Sequence, residues 1–276
     1  MNQVPISLLG PNEGDPQLLR PYPQYSQIHE EYNDGFSTYN ALEVKANRRF
    51  ANGFTFQANY TYSKSIDNSS YDTTTGIGDE YQITTNANLN KGPSQFDQTH
   101  RLVVSYVYDL PFGKGRPWLD RGGILNAVLG GWKDSGSFIT HSGTPFNVFS
   151  GGPNLTGAIS GYIYADCNGN PAGSQTTNAW FNTGAFSDPA AYRFGTCGRD
   201  IVRGPGSWNF DMALMKDFTL PIHWESVKIQ FRADAFNIFN HPNLGLPNNT
   251  TDSSAFGTIT SASQPRTLQI GAQILF

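Results

Sequence analysis

Several features common in other protein classes are missing from this sequence. It has no apolar run of about 18 residues, the length that predicts a membrane-spanning helix, and its mean hydropathy is -0.42. Charged residues make up only 14% of the chain, the net charge is -4, and no block rich in lysine and arginine occurs. These absences exclude a helical membrane span and argue against nucleic acid as a partner. They do not exclude membrane-spanning strands, because such strands are shorter than membrane-spanning helices.

An export signal is also missing from the start of the sequence. Residues 1–25 lack the basic start and the apolar run of a secretory signal peptide. We therefore expect either a cytoplasmic protein or a piece of a longer chain. Residues 1–36 show no strand pattern and are predicted to form a leading loop segment, whereas residues 37–276 are predicted to form the folded part.

Patterns for catalysis or metal binding are weak. The His-Glu-Glu run at 29–31 has no second histidine at the spacing of a zinc site. Asp166, Asn168 and Asn170 alternate as in the first half of a calcium loop, but Pro171 replaces the required glycine and no glutamate closes the loop. No phosphate-binding loop and no serine, histidine and aspartate arrangement is indicated. We therefore expect no enzyme, no cofactor and no metal site.

The composition instead favours strands. Aromatic residues reach 13% and glycine occurs 29 times, a combination that favours strands and loops over helices. Apolar and polar residues alternate on both sides of Asn52 and Gly53, a dipeptide typical of a tight hairpin turn. The alternation over 132–147 is poor, and its faces cannot be assigned. Seven strands are predicted, near residues 38–50, 53–66, 100–110, 132–147, 207–219, 225–240 and 265–276.

The predicted connections alternate in length. Short or moderate ones are expected at 51–52, 111–131 and 220–224, and long ones at 67–99, 148–206 and 241–264. If successive strands are antiparallel, every long connection lies at one end of the sheet. This pattern is typical of a transmembrane up-and-down β-barrel with long extracellular loops, whose polar face lines a wet lumen.

Aromatic residues near the strand ends fit the same interpretation, because membrane proteins place such residues at the lipid interface. The long-loop end would hold Tyr60, Tyr62 and Phe239, and the short-turn end would hold Phe50, Phe54, Phe218 and Phe276. A β-sandwich stays an alternative, since it also alternates apolar and polar residues. Its exposed face is usually rich in lysine and glutamate, whereas the polar residues here are mostly Thr, Gln, Asn and Ser.

A family resemblance rests on segments spread over most of residues 20–276. They read "STYNALEVKANRRFANGFTFQANYTYSKSID", "FDQTHRLVVSYVYDLPFGKG", "GGWKDSGSFITHSGTPF", "RGPGSWNFDMALMKDF" and "RADAFNIFNHPNLGLPNNTTDSSAFGTITSASQPRTLQIGAQILF". In this order they resemble TonB-dependent receptors, in particular the Oar-like group. The resemblance implies the carboxyl-terminal part of an outer-membrane barrel of about 22 strands with an amino-terminal plug. No plug, TonB box or export signal can be placed in this chain, so contact with the TonB system is expected only through a missing plug.

The resemblance also implies an assembly signal in the last strand. Such a signal consists of a polar residue, a glycine two positions later, and hydrophobic residues that end in an aromatic one. Gln269, Gly271, Ile274 and Phe276 have this spacing. We expect the barrel-assembly machinery to bind this strand by β-augmentation, in which main-chain pairing provides affinity. Any closing strand that faces lipid would also look apolar.

The two cysteines, Cys167 and Cys197, lie in the long 148–206 connection. The expected topology places this connection outside the cell, where a disulfide can form during export and persist. We therefore predict a disulfide, with two unpaired thiols as the alternative.

Three functions stay open. The favoured one is a TonB-dependent receptor for an unidentified ligand, in contact with outer-membrane lipid. The alternatives are a secreted β-rich adhesin or carbohydrate-binding module, and a passive porin. We expect a single seven-strand meander with open first and last strands, and such unpaired edges predict poor solubility of the isolated chain.

Overall fold

A computed structural model describes residues 2–26, 28, 35–51, 53–70, 82–83, 86–152, 155–157, 163–219 and 227–275. Within them, long antiparallel strands form a meander in which each strand pairs with the next. These strands are β1 (Ser37–Ala51), β2 (Phe54–Asp67), β3 (His100–Asp109), β4 (Trp132–His141), β5 (Ser207–Thr219), β6 (Lys228–Phe236) and β7 (Thr267–Leu275). The expected all-β, antiparallel up-and-down fold is confirmed. In the described part of the chain, β1 and β7 each pair with one strand, so the sheet is open.

Shorter elements lie in the connections. One α-helix, α1, spans Ile124–Leu129, and 3-10 helices span Ile6–Leu8, Ala87–Asn90 and Thr183–Ala185. Short strands occur at Gly92–Pro93, Pro145–Phe146, Asp166–Cys167, Ala172–Thr176, Ala179–Phe181, Phe186–Ser187 and Val202–Arg203. None of the helices found in the described ranges has the length and apolar character needed to cross a membrane.

Two predicted strands end earlier than expected. The strand predicted over 132–147 ends at His141, and Pro145–Phe146 instead pairs with Val202–Arg203. The strand predicted over 225–240 ends at Phe236, because Asn237 adopts a left-handed φ of 52°. Asparagine tolerates this conformation. Its side-chain oxygen accepts from the backbone N–H of His241 at 2.9 Å and fixes the turn.

The strand register gives the sheet an apolar and a polar face. Directly paired residues lie on the same face, and the pairs Val44–Tyr60, Tyr60–Leu102 and Phe138–Phe210 connect the apolar sides of successive strands. The polar face carries Lys45, Asn59, Gln57, Ser105, Ser137, Asp211, Asp217, Arg232 and Gln269. Each strand of the sheet therefore shows the alternation of side chains that is expected when its two faces meet different solvents.

The buried hydrophobic core of the described residues is formed by the long loops and not by the seven-stranded sheet. Its buried members are Phe146, Val148, Tyr164, Ala165, Phe181, Ala185, Phe186, Cys197 and Val202. The described parts of the three long connections contribute to one unit at the same end of the sheet, which we call the loop cap (67–99, 142–206 and 237–266). The loop of 241–264 joins it through Phe256, which packs on Phe181 with ring centroids 5.2 Å apart.

The amino-terminal segment lies on the same unit. Val4 is 1% exposed, and a Cβ added at Gly157 would lie 3.0 Å from its side chain. Arg20 donates to the carbonyls of Asn2 at 2.6 Å and Gly157 at 2.9 Å. Val4 and Arg20 therefore tie the amino-terminal segment to the loop cap.

Candidate functional site

The apolar face has aromatic side chains at the long-loop end. The ring of Trp208 stacks on His241 with centroids 4.2 Å apart and contacts Phe239 at 5.9 Å. Tyr60 Oη lies 2.8 Å from His100 Nδ1, and Tyr62 packs on the same histidine at 5.2 Å. Tyr60, Tyr62 and Phe239 thus lie where the sequence placed them, although Phe239 reaches this position from a turn.

The short-turn end carries a second set of rings. Phe54 packs on Tyr108 with centroids 5.7 Å apart, and Phe218 packs on Phe231 at 5.5 Å, both in edge-to-face geometry. Smaller residues such as Ala58 and Ala235 lie between the two ends. The side chain of Phe50 and all of Phe276, also predicted at this end, lie outside the described residues. Large aromatic residues also lie between the two ends, where Phe210 packs on Tyr106 and Phe138, so the face is largely apolar and rich in aromatic rings, as suits contact with lipid.

Polar groups on the apolar face explain the poor alternation of β4. Its register places Trp132, Asp134 and Gly136 on this face. Asp134 Oδ2 accepts from Tyr106 Oη at 2.8 Å. The Tyr106 ring lies over Gly136, where an added Cβ would come within 2.5 Å of it. A glycine and a shielded carboxylate therefore replace apolar side chains, and sequence periodicity misses this arrangement.

Lys216 interrupts the apolar face of β5 and is shielded from solvent, with 3% of its surface exposed. Its Nζ donates to the carbonyls of Val128 at 3.1 Å and Gly130 at 2.5 Å. The rings of Trp132 and Phe218 have centroids 5.4 and 5.0 Å from the ammonium group. Carbonyl oxygens and ring faces both stabilise a buried cation.

The polar face carries a network of side-chain hydrogen bonds. Gln230 donates to Asp217 at 2.7 Å and accepts from Gln273 at 2.9 Å. Arg232 Nε and Asp234 Oδ1 form an ion pair at 2.8 Å, and the Arg232 side chain is 53% exposed. Amide groups and accessible ion pairs of this kind suit a surface that meets water.

The disulfide predicted in the loop cap is present in the structure. Cys167 and Cys197 are joined, with their Cα atoms 4.9 Å apart and a sequence separation of 30. Next to it, Arg193 pairs with Asp166. The hydrogen bond from Arg193 holds the pKa of Asp166 below its ordinary value of 3.8 although partial burial opposes this shift.

The alternating Asp166, Asn168 and Asn170 have hydrogen-bond partners within the loop cap. The Asp166 carboxylate is taken by Arg193 and by the backbone N–H of Thr196. The Asn170 side chain accepts from the backbone N–H of Ala172 at 3.0 Å. No group of three metal-ligating side chains occurs in the described ranges. The His-Glu-Glu run at 29–31 lies outside them.

A buried ionic cluster joins the first and second long connections. Arg199 has a side chain with 0% exposure and pairs with Asp67, 132 residues earlier in the sequence. Its Nε donates to the carbonyl of Asn90 at 2.9 Å, and its Nη1 lies 3.6 Å from Asp200 Oδ2. Sequence reasoning did not find this cluster, since nothing local in the loops indicates such distant pairs.

Asp188 connects the second and third long connections. It accepts from Ser150 Oγ at 2.6 Å and from Thr251 Oγ1, 63 residues away in sequence. Partial burial raises the pKa of Asp188, but hydrogen bonds from Ser150, Thr251 and two glycine N–H groups outweigh it, so the pKa lies below the ordinary 3.8. The ionised carboxylate of Asp188 therefore contributes to the stability of the loop cap.

The described part of the predicted assembly signal lies on the open strand β7. Gln269 pairs with Asp234 and Gly271 with Arg232 on the polar face, while Ile274 pairs with Ile229 on the apolar face. An added Cβ at Gly271 would meet no atom within 4 Å. In the described part of the chain the second edge of β7 has no partner strand, and the role of these residues in assembly stays a prediction. The fourth member, Phe276, lies outside the described residues.

Comparison with known proteins supports the membrane interpretation of this geometry. A family model described as an outer membrane beta barrel domain matches residues 1–269. No curated protein and no solved structure matches the chain. Since the family model covers nearly all of the sequence, the chain belongs to the outer membrane beta barrel domain family.

Proposed function

We propose that the chain is the carboxyl-terminal barrel portion of a TonB-dependent receptor that takes up an unidentified ligand across the cell outer membrane. The observation that supports the membrane placement is the exposure of the apolar face of the sheet in the described part of the chain. Leu42, Val44 and Ile270 on this face are 60%, 53% and 84% exposed. Soluble proteins rarely leave a sheet face of this kind open to water. Contact with lipid tails would remove it from water and stabilise it by about 25 cal/mol per Å².

The polar face and the loop cap would then form two successive parts of the transport path. In outer-membrane barrels, short turns lie in the periplasm and long loops lie outside the cell. The polar face would line the lumen, and the loop cap would form its outer entrance. The disulfide between Cys167 and Cys197 suits this position, because such bonds persist in oxidising compartments.

The resemblance of the strand segments to Oar-like receptors favours a receptor over a porin. The TonB system would act through a plug outside the present sequence. The assembly machinery would pair with the free edge of β7, where the predicted signal residues Gln269, Gly271 and Ile274 lie. We propose no enzymatic activity, cofactor or nucleic-acid partner.

Fractionation of cells that make the protein tests the membrane placement. We expect it in the outer-membrane fraction, extracted only by detergent and with both cysteines oxidised. Recovery of a monodisperse, detergent-free monomer would contradict the placement and favour a secreted adhesin or carbohydrate-binding module.

Conductance measurements separate a receptor from a porin. Protein extracted from native outer membranes is inserted into planar lipid bilayers. A porin gives stable ohmic steps, whereas a plugged receptor gives none. Growth on a limiting nutrient provides a second test: loss of this gene and loss of the TonB system should have the same effect, with no further loss in the double deletion. Additive effects would contradict energy-coupled uptake.

A further inference from the structure

The connection between β3 and β4 leaves six of its large apolar side chains exposed. We call residues 110–131 the rim segment, because they lie at the short-turn end of the sheet. None of the residues of α1 within it is buried. Its exposed large apolar residues are Trp118 (59%), Leu119 (48%), Ile124 (83%), Leu125 (54%), Val128 (57%) and Leu129 (44%). A surface of this composition is unfavourable in water and marks a contact site.

The rim segment has a defined conformation that holds these side chains outward. The backbone N–H of Gly113 donates to the carbonyl of Trp118 at 2.9 Å. The side chain of Asn126 in α1 accepts from the backbone N–H of Lys114 at 2.7 Å. A Cβ at Gly113 would lie only 2.6 Å from the Cα of Gly130. The exposed apolar residues therefore belong to a folded surface.

The carboxyl end of α1 is attached to the apolar side of the sheet. The indole Nε1 of Trp132 donates to the carbonyl of Val128 at 2.8 Å. Lys216 donates to the same carbonyl and to that of Gly130. Trp132 and Lys216 are register partners on the apolar face. The apolar surface of the rim segment is thus continuous with the face that meets lipid in the proposed function.

The charges of the rim segment are mainly basic. Arg116 pairs with Asp109 at 3.1 Å, and Asp120 accepts from the backbone N–H of Gly115. Lys114 and Arg121 are exposed and make no ion pair with another described residue. Apolar residues next to basic ones are typical of segments that lie in the interface of a membrane with anionic lipid.

We propose that the rim segment binds anionic phospholipid of the leaflet on the short-turn side. The apolar side chains of α1 and Trp118 enter the boundary between headgroups and acyl chains, and Lys114 and Arg121 contact the headgroup phosphates. This inference rests on the proposed placement of the sheet in the outer membrane. It adds a lipid-binding element outside the strands.

Spin labels on single introduced cysteines test the proposal. Both natural cysteines are in the disulfide, so an introduced cysteine is the one free thiol. The variants are Leu125→Cys in α1, Val104→Cys on the apolar face and Ser105→Cys on the polar face. The full chain is reconstituted in vesicles of phosphatidylethanolamine and phosphatidylglycerol. Collisions with oxygen, which enters lipid, are compared with collisions with a water-soluble nickel complex.

We expect the labels at 125 and 104 to meet oxygen and to be protected from nickel, and the label at 105 to meet nickel. A label at 125 that behaves like the one at 105, while the one at 104 stays in lipid, would overturn the rim proposal and leave the membrane placement intact. Protection of the label at 125 from both reagents would also overturn it, because a protein partner or a second copy would then cover α1. Nickel access at 104 would instead refute the membrane placement.

Removing charge from the rim segment, or anionic lipid from the vesicles, tests whether the bound headgroup is anionic. In the double variant K114Q/R121Q, or in vesicles with phosphatidylcholine in place of phosphatidylglycerol, the label at 125 should lose most of its protection from nickel. The label at 104 should not change. Equal protection at 125 under all these conditions would overturn the assignment of an anionic headgroup.

Discussion

Replacing Arg199 by methionine should open the loop cap. Arg199 is fully buried, pairs with Asp67 and donates to the carbonyl of Asn90. Methionine replaces the apolar stem of arginine but has no charge, so the Asp67 carboxylate, with 3% side-chain exposure, would stay buried without this partner. Breaking a buried ion pair in this way costs about 3–5 kcal/mol. The penalty should fall on the contact between the first two long connections rather than on the strands.

Arg193→Met provides the matched control. Arg193 also pairs with an aspartate of the loop cap, Asp166, but its side chain is 46% exposed. Exposed pairs of this kind contribute less than about 1 kcal/mol, because solvent screens them.

Hydrogen exchange of the protein in detergent measures the difference. With Arg199→Met, amides in 86–99 and 199–203 should exchange more than a hundredfold faster, since about 3 kcal/mol corresponds to that factor. Amides of β3 and β4 should be unchanged. Equal exchange in the Arg199 and Arg193 variants would refute the reasoning that burial makes this pair important.

Three further changes test other parts of the molecule. Replacing Cys167 and Cys197 by serine should destabilise the loop cap by about 3–4 kcal/mol, the value expected for a closed loop of this length. Thermal unfolding, monitored as the onset of protease cleavage in the loop cap, measures this loss. The lowered pKa of Asp188 means that its ionised form stabilises the loop cap above pH 3.8 and that this contribution is lost as the pH falls through the folded pKa. The protection factor of the Gly152 amide, which corrects for the pH dependence of intrinsic exchange, should therefore fall on acidification, and Asp188→Asn should remove that dependence. For the proposed receptor, Phe276→Ala should lower the amount that reaches the outer membrane without changing the ligand affinity of the inserted molecules, whereas unchanged abundance with weaker binding would place Phe276 in a binding site.

The strands were predictable because each meets two different environments. Alternation over β2, β3 and β7 identified their faces, and the register confirms that Tyr60 and Leu102 lie on one face. In β4 the same reasoning failed, because Asp134 and Gly136 are compensated by the Tyr106 side chain of the neighbouring strand. Such compensation depends on pairing between strands, which periodicity within one strand does not report.

The loop cap could not be predicted for a related reason. Arg199 and Asp67 are 132 residues apart, and the core residues Phe146 and Phe181 belong to loops without a regular period. Helix α1 was also missed, since only its six residues are helical and its apolar residues do not face a core. The disulfide pair could be expected because the chain has only two cysteines and both fall in one loop.

A label scan along β3, read after reconstitution in lipid vesicles, tests the central claim most directly. The claim is that one face of the sheet meets lipid and the other meets water. Oxygen collisions should dominate at 102, 104, 106 and 108, and nickel collisions at 103, 105 and 107, with a period of two residues. Nickel access at every position, or an alternation of the opposite sense, would contradict the membrane account.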